Sequence, residues 1–191
     1  MSSSSQAAEA KSAKGMRSPV LTISILAMFT ALVFVITQFA WLPISVVPGQ
    51  RFDAGDIMIF IAAWTFGPIV GGFAGGVGSS LSDALVGGAP YWPFTLVIKG
   101  LEGTVAGLLY RRGSPSRLII SWLIASCIML GGYFATNAVL LGLVIGTNSP
   151  LNPGLINALL EVPFDIVQVS AGGIIGSQVS KYVRNSFPSL F

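Results

Sequence analysis

The sequence contains no histidine and a single cysteine, Cys127, among its 191 residues. Without imidazole there is no histidine-based metal site, no bis-histidine haem and no serine–histidine nucleophile. One cysteine cannot form a disulfide framework. We therefore expect no metal, no cofactor and no catalytic residue, and Cys127 is predicted to pack within a helix.

Charged residues are also scarce. They make up 9% of the chain, against about 25% in a soluble domain. Apolar residues make up 53%, the mean hydropathy is +0.80, and glycine and proline lie inside hydrophobic runs, as closely packed membrane helices tolerate. The composition predicts one integral membrane domain. The net charge of +3 does not indicate a nucleic-acid partner, because most basic residues flank hydrophobic runs.

Residues 1–17 are small and polar and are predicted to be a disordered cytoplasmic tail. Six hydrophobic runs follow, so we expect an all-α membrane domain over 18–184, a compact bundle of six transmembrane helices. The second run has 13 residues and would cover only about 20 Å of a hydrocarbon core of roughly 30 Å, so it is either a re-entrant segment or the first half of one long bent helix. The predicted spans are 18–39, 54–66, 68–86, 94–110, 118–142 and 154–183.

The distribution of lysine and arginine supports six spans rather than five. Basic residues collect on the cytoplasmic side of a membrane protein. Six spans with cytoplasmic amino and carboxyl termini leave eight basic loop residues inside and only Arg51 outside, whereas five spans would put three inside and six outside. The eight are Lys11, Lys14, Arg17, Arg111, Arg112, Arg117, Lys181 and Arg184.

Polar residues recur at helical spacing within the later spans. On helix six, Asn157, Glu161, Asp165 and Gln168 are separated by four, four and three residues and share one face. A charge at the bilayer centre costs about 2.5–3.5 kcal/mol, so these groups are expected to face inward around a paired or water-filled region. Polar faces at a similar depth are predicted on helix three (Ser79, Asp83), helix four (Thr95, Lys99, Glu102) and helix five (Tyr133, Asn137).

The two outer loops are predicted to lie above this polar cluster. The first carries Trp41, Arg51, Asp53 and Asp56, and the loop after helix three carries Tyr91, Trp92 and Phe94. Aromatic side chains here would stack on a flat ring and Arg51 would cap a polar group, although an interfacial aromatic belt explains the tryptophans equally well. Likewise, any one buried polar residue could serve helix packing alone, yet four carboxylates facing one lysine exceed what packing requires.

Residues 52–109 carry a family resemblance. The stretch FDAGDIMIFIAAWTFGPIVGGFAGGVGSSLSDALVGGAPYWPFTLVIKGLEGTVAGLL contains D-x-x-x-F-x-x-A-x-x-x-G-P, G-x-G-S-x-L-x-D and T-x-x-I-K-G-x-x-G in that order. In this stretch and in its topology the chain resembles the substrate-binding S components of energy-coupling-factor (ECF) vitamin transporters, in particular the riboflavin-type group.

The resemblance implies a plasma-membrane subunit that captures a micronutrient outside the cell and docks on a transmembrane coupling subunit driven by two ATPase subunits. It maps the docking face onto Ala27 and Ala31 of helix one. Besides these partners, only the vitamin and membrane lipid are expected to contact the chain. Together with the polar faces, it gives the predicted substrate-binding residues as Arg51, Asp83, Trp92, Thr95, Lys99, Glu102, Tyr133, Asn137, Glu161 and Asp165.

The chain has no nucleotide-binding motif, because the glycine-rich helix three lacks the lysine and the serine or threonine that end a P-loop. Riboflavin is the favoured ligand and a thiamine precursor is the other candidate. Two further interpretations stay open: a self-sufficient small transporter or channel, and an intramembrane enzyme with Glu161 and Asp165 as an acid–base pair.

Overall fold

The computed structural model describes residues 19–43, 51–85, 91–110, 114–141 and 153–187. These segments form a helical bundle, in which α5 continues into a π-helical turn at Asn137–Leu141 and strands β1 (Trp41–Pro43) and β2 (Arg51–Asp53) pair in antiparallel fashion. The predicted tail over 1–17 lies outside the described residues. The helices are α1 (Pro19–Phe39), α2 (Gly55–Phe66), α3 (Pro68–Leu85), α4 (Trp92–Leu109), α5 (Pro115–Thr136) and α6 (Pro153–Ser186).

The prediction of an all-α bundle of six helices is confirmed. Three helices, α1, α5 with the start of its π-helical turn, and α6, are long and apolar enough to cross a bilayer. With 12 residues, α2 is only about 18 Å long. It ends at Gly67, whose φ of +98° is a left-handed conformation that favours glycine and lets the chain reverse directly into Pro68.

Helix α2 is short because it lies inside the bundle. Ile59, Phe60 and Ala62 are fully buried in the core. On the α6 side, Gly172 and Gly176 leave room for Phe60, since a β-carbon at either position would lie within about 3 Å of it. The ring of Phe60 also stacks on Trp64 with 4.7 Å between centroids. The surrounding helices therefore carry most of the lipid-facing surface.

Helices α3 and α4 pack backbone to backbone along the small-residue face of α3. A β-carbon at Gly75 would lie 2.8 Å from the carbonyl oxygen of Lys99, and one at Gly76 would lie 2.8 Å from that of Leu96. Glycine is required for this close approach. The contact fixes the depth at which Lys99 enters the bundle interior.

Candidate ligand-binding site

A polar cavity lies at the end of the bundle that carries the β1–β2 pair. It encloses about 430 Å³ when its open mouth is included. Its walls come from β2, the last turn of α3, the start of α4, the second half of α5 with its π-helical turn, and the first half of α6. The lining residues are Asp53, Asp83, Tyr91, Thr95, Met129, Tyr133, Asn137, Glu161, Asp165 and Gln168.

A buried ionic network lies next to this cavity. The ammonium group of Lys99 donates to Asp56, and its Nζ lies 3.2 Å from Oε2 of Glu102, one helical turn away on α4. All three side chains are almost completely buried. Asp56 belongs to the first turn of α2, where a carboxylate is also favoured by the helix dipole. Through these contacts the buried Lys99 links α4 to α2.

Gln168 connects this network to the strands. Its Nε2 donates to Asp56 over 3.1 Å, and its Oε1 accepts the backbone N–H of Asp53 over 3.1 Å. Asp53 in turn accepts the backbone N–H of Gly55 over 2.7 Å. One α6 side chain therefore holds the end of β2 against the start of α2, which fixes one rim of the cavity.

Two further hydrogen-bonded sets form the opposite walls. Thr95 donates to Asp83 over 2.5 Å and accepts from the Tyr133 hydroxyl over 3.3 Å, so α3, α4 and α5 are joined at the cavity. The Lys99 ammonium lies 5.6 Å from the centre of the Tyr133 ring, within the range of a cation–π contact. Across the cavity, the Asn137 amide donates to Glu161.

The site is strongly acidic. Among the described side chains only one basic group, Lys99, reaches this region, so the carboxylates outnumber it. No cluster of metal-ligating residues occurs within the described part of the chain. This surface is best suited to bind a ligand that carries hydrogen-bond donors or positive charge. The cluster contains six of the seven acidic residues of the chain: Asp53, Asp56, Asp83, Glu102, Glu161 and Asp165.

Most of the predicted site residues meet here. The side chains of Lys99 and Glu102 lie in the buried network beside the cavity. Arg51 begins β2 opposite Pro43, and its side chain lies outside the described structure. The predicted residues that line the cavity itself are Asp83, Thr95, Tyr133, Asn137, Glu161 and Asp165.

One loop assignment was wrong. Trp92 was expected in the outer loop above the site, but it is the first residue of α4, is 42% exposed and is absent from the cavity wall, where its neighbour Tyr91 lies instead. The Pro93 ring favours this early helix start. Asp56, which falls in both the predicted loop and the predicted span 54–66, lies in the first turn of α2 and is fully buried.

The sequence also left Met129 out of the site, because a methionine within an apolar span carries no polar signal. Asp56 did carry a local signal, because it directly precedes an apolar run, as acidic residues in the first turn of a helix do. Its pairing with Lys99 depends on the position of α2 inside the bundle, which no local pattern specifies.

The ECF-type riboflavin transporter S component family model matches residues 18–185. The chain belongs to this family. As an S component it is a non-catalytic, substrate-binding subunit and a multi-pass protein of the plasma membrane, and such subunits work with a membrane and ATPase module in the uptake of a vitamin or precursor. Family membership thus confirms that the chain is not an enzyme.

Individual proteins resemble the chain over most of its length. An "Uncharacterized protein in gap 3'region" of Pyrococcus woesei is 41% identical, with 75% of this chain and 88% of that protein covered. The "Thiamine precursor transporter HmpT" of Lactococcus lactis subsp. cremoris (strain MG1363) is 28% identical, with 86% and 88% covered. The solved S component of a bacterial ECF transporter has the same fold, with a TM-score of 0.62, 23% identity and 86% and 96% coverage.

Proposed function

We propose that the acidic cavity captures a B vitamin or vitamin precursor outside the cell, and that the chain hands it to a module of one transmembrane coupling subunit and two ATPase subunits. The outward direction is supported by the described basic residues at the opposite end of the bundle, because basic residues collect on the cytoplasmic side. They are Arg117 at the start of α5, and Lys181 and Arg184 near the end of α6. ATP hydrolysis is assigned to the partners, since the sequence has no nucleotide-binding motif.

The charge of the cavity is the observation that favours a ligand class. Asp53, Asp83, Glu161 and Asp165 all line it, while the one basic side chain described nearby already contacts two other carboxylates. A cationic or donor-rich ligand would compensate this charge, and an anionic ligand would be repelled. We therefore propose a basic amino-heterocycle of the thiamine-precursor class as the ligand. The relative from Lactococcus lactis, named as a thiamine precursor transporter, supports the same class.

Riboflavin is the second candidate, favoured by the description of the matching family model. It is uncharged at neutral pH, so it would bind through the hydroxyl and ring N–H donors that it offers to the carboxylates and through stacking on Tyr91 or Tyr133. It carries no positive charge to offer these carboxylates, which is why we rank it second.

Isothermal titration of the detergent-purified chain with an aminopyrimidine thiamine precursor and with riboflavin separates the two. We expect the aminopyrimidine to bind more tightly and Asp165→Asn to weaken it by about 10- to 100-fold, as loss of a charge-assisted hydrogen bond does. Glu9→Gln changes an acidic residue of the predicted amino-terminal tail and serves as the control. The basic-ligand assignment would be overturned in favour of riboflavin if riboflavin bound more tightly than the aminopyrimidine and if Asp165→Asn and Glu9→Gln bound the aminopyrimidine with the same affinity.

A further inference from the structure

A second depression lies on the lipid-facing side of the bundle, away from the polar cavity. It runs between α5 and α6, with Trp64 of α2 as its floor, Ile119 and Trp122 on one wall, and Ile174 and Ser177 on the other. Its volume is about 420 Å³ including the open side. Ile119 and Ile174 are more than half exposed on its edges, so it opens toward the bilayer.

The groove is apolar even though two tryptophans form part of it. The indole N–H of Trp64 donates to the Ser121 hydroxyl over 3.0 Å, and that of Trp122 donates to the Val169 carbonyl over 2.9 Å. Both polar atoms are therefore satisfied inside the protein, and the rings present carbon surface. Such a surface suits a hydrocarbon chain and offers no hydrogen bond to a polar ligand.

A basic side chain lies at one end of this groove. Lys181 follows the groove residue Ser177 by four residues, so it lies one turn further along the same face of α6. Its side chain is exposed. Arg117 lies on a different face of α5, because it precedes Leu118 by one residue and successive helical residues point about 100° apart. An apolar groove that ends at a cation is complementary to one molecule with an acyl chain and an anionic head.

Arg184 is not available for the same role. It donates to the Tyr110 hydroxyl and to the Ser180 carbonyl, and its guanidinium lies 4.7 Å from the centre of the Tyr110 ring. It therefore ties the end of α6 to the end of α4. Among the described basic side chains, Lys181 is therefore the one placed to meet a headgroup.

We propose that this groove is a binding site for an anionic phospholipid, with an acyl chain along Trp122 and Ile174 and the phosphate held by Lys181. The basic end corresponds to the cytoplasmic side in the predicted topology, where anionic headgroups face positively charged segments. The site is separate from the polar cavity and does not depend on which vitamin that cavity holds.

Tryptophan quenching by brominated lipids tests the proposal with the full chain in vesicles. A Trp41→Phe, Trp92→Phe variant keeps Trp64 and Trp122, the two tryptophans of the groove, as reporters. Brominated phosphatidylglycerol and brominated phosphatidylcholine are titrated separately into unlabelled phosphatidylcholine. We expect the groove to prefer phosphatidylglycerol by at least about fivefold, the effect of one basic residue near an anionic headgroup.

Two pairs of variants test the site. Lys181→Gln should reduce the preference to near one without affecting vitamin binding, whereas Arg117→Gln, on another face, should leave it unchanged. Ser177→Phe should fill the groove and lower quenching by both lipids, whereas Ser24→Phe on the exposed face of α1 should not. Equal quenching by the two lipids indicates contact with bulk lipid only and overturns the proposal, as does a preference that survives Lys181→Gln. Lack of quenching by either lipid overturns it in favour of an occupant other than lipid.

Discussion

At the scale of single residues, Lys99 supplies the positive charge that stabilises the buried carboxylates. Its ammonium group contacts both Asp56 and Glu102, and no other described basic side chain lies in the cluster. Removing one member of a buried ion pair leaves its partners charged in a medium of low polarity. Lys99 therefore has a structural role beside the cavity in addition to any effect on the ligand.

We predict that Lys99→Met lowers the free energy of unfolding by about 3–5 kcal/mol, because Asp56 and Glu102 lose their counter-charge. Thermal unfolding in detergent measures it, with the exposed Lys181→Met as the control, which should change little. Adding Asp56→Asn to Lys99→Met should restore part of the loss. A loss below about 1 kcal/mol would contradict the assigned role.

Much of this residue-level account could be predicted from the sequence. The four-, four- and three-residue spacing on helix six identified Glu161 and Asp165 as neighbours, and the structure brings both to the cavity. The partner of Lys99 could not be predicted, because Asp56 meets it only through the packing of α2 between α4 and α6. Tyr91 was passed over in favour of Trp92, since a helix boundary uncertain by one or two residues decides which aromatic points inward.

At the scale of elements, α1 combines a buried face with an exposed one. Ile25, Phe29 and Val33 pack into the core, while Ala27 and Ala31 are exposed. Small exposed residues permit another helix to approach closely. This placement supports the proposal that the coupling subunit docks on α1.

We expect Ala27→Trp to leave vitamin affinity unchanged but to reduce uptake by the assembled transporter at least about tenfold, because the indole prevents close helix contact. Titration of the isolated chain and uptake of labelled vitamin by the complex measure the two quantities. Leu108→Trp, on the exposed side of α4, is the matched control. If Ala27→Trp abolished vitamin binding instead, α1 would be an internal packing element.

The contact between α3 and α4 gives a second prediction at this scale. Gly75→Ala should destabilise the fold by about 1–3 kcal/mol, because its new methyl group would press on the Lys99 carbonyl. Gly131→Ala on α5 meets no described atom within 4 Å and should be neutral or stabilising, since alanine favours helix. Equal unfolding temperatures for both variants would show that α3 and α4 can separate without penalty.

The helix boundaries were the most predictable feature of the structure. When the π-helical turn is counted with α5, each helix begins and ends within three residues of its predicted span, because hydrophobic runs bounded by proline, glycine and charge define membrane helices well. The small-residue repeat of α3 likewise predicted its close packing. The interior position of α2 was not predictable, since a run of this length is compatible with a short span, a re-entrant segment or a buried helix.

At the scale of the whole molecule, the two ends of the bundle differ in charge. The acidic cavity forms one end, and Arg117, Lys181 and Arg184 mark the other. This polarity supports a cavity that faces outward and a basic surface that faces the cytoplasm. It is consistent with an S component that binds on one side and relies on partner subunits for release on the other.

Uptake of a labelled aminopyrimidine thiamine precursor into proteoliposomes tests the central claim most directly. We predict that the chain alone binds the label without accumulating it, and that accumulation requires the coupling subunit, both ATPases and ATP. The Ala27→Trp chain in the same complex should bind and fail to accumulate. Accumulation at the full rate by the chain alone would contradict the account, because it would make the protein a self-sufficient transporter.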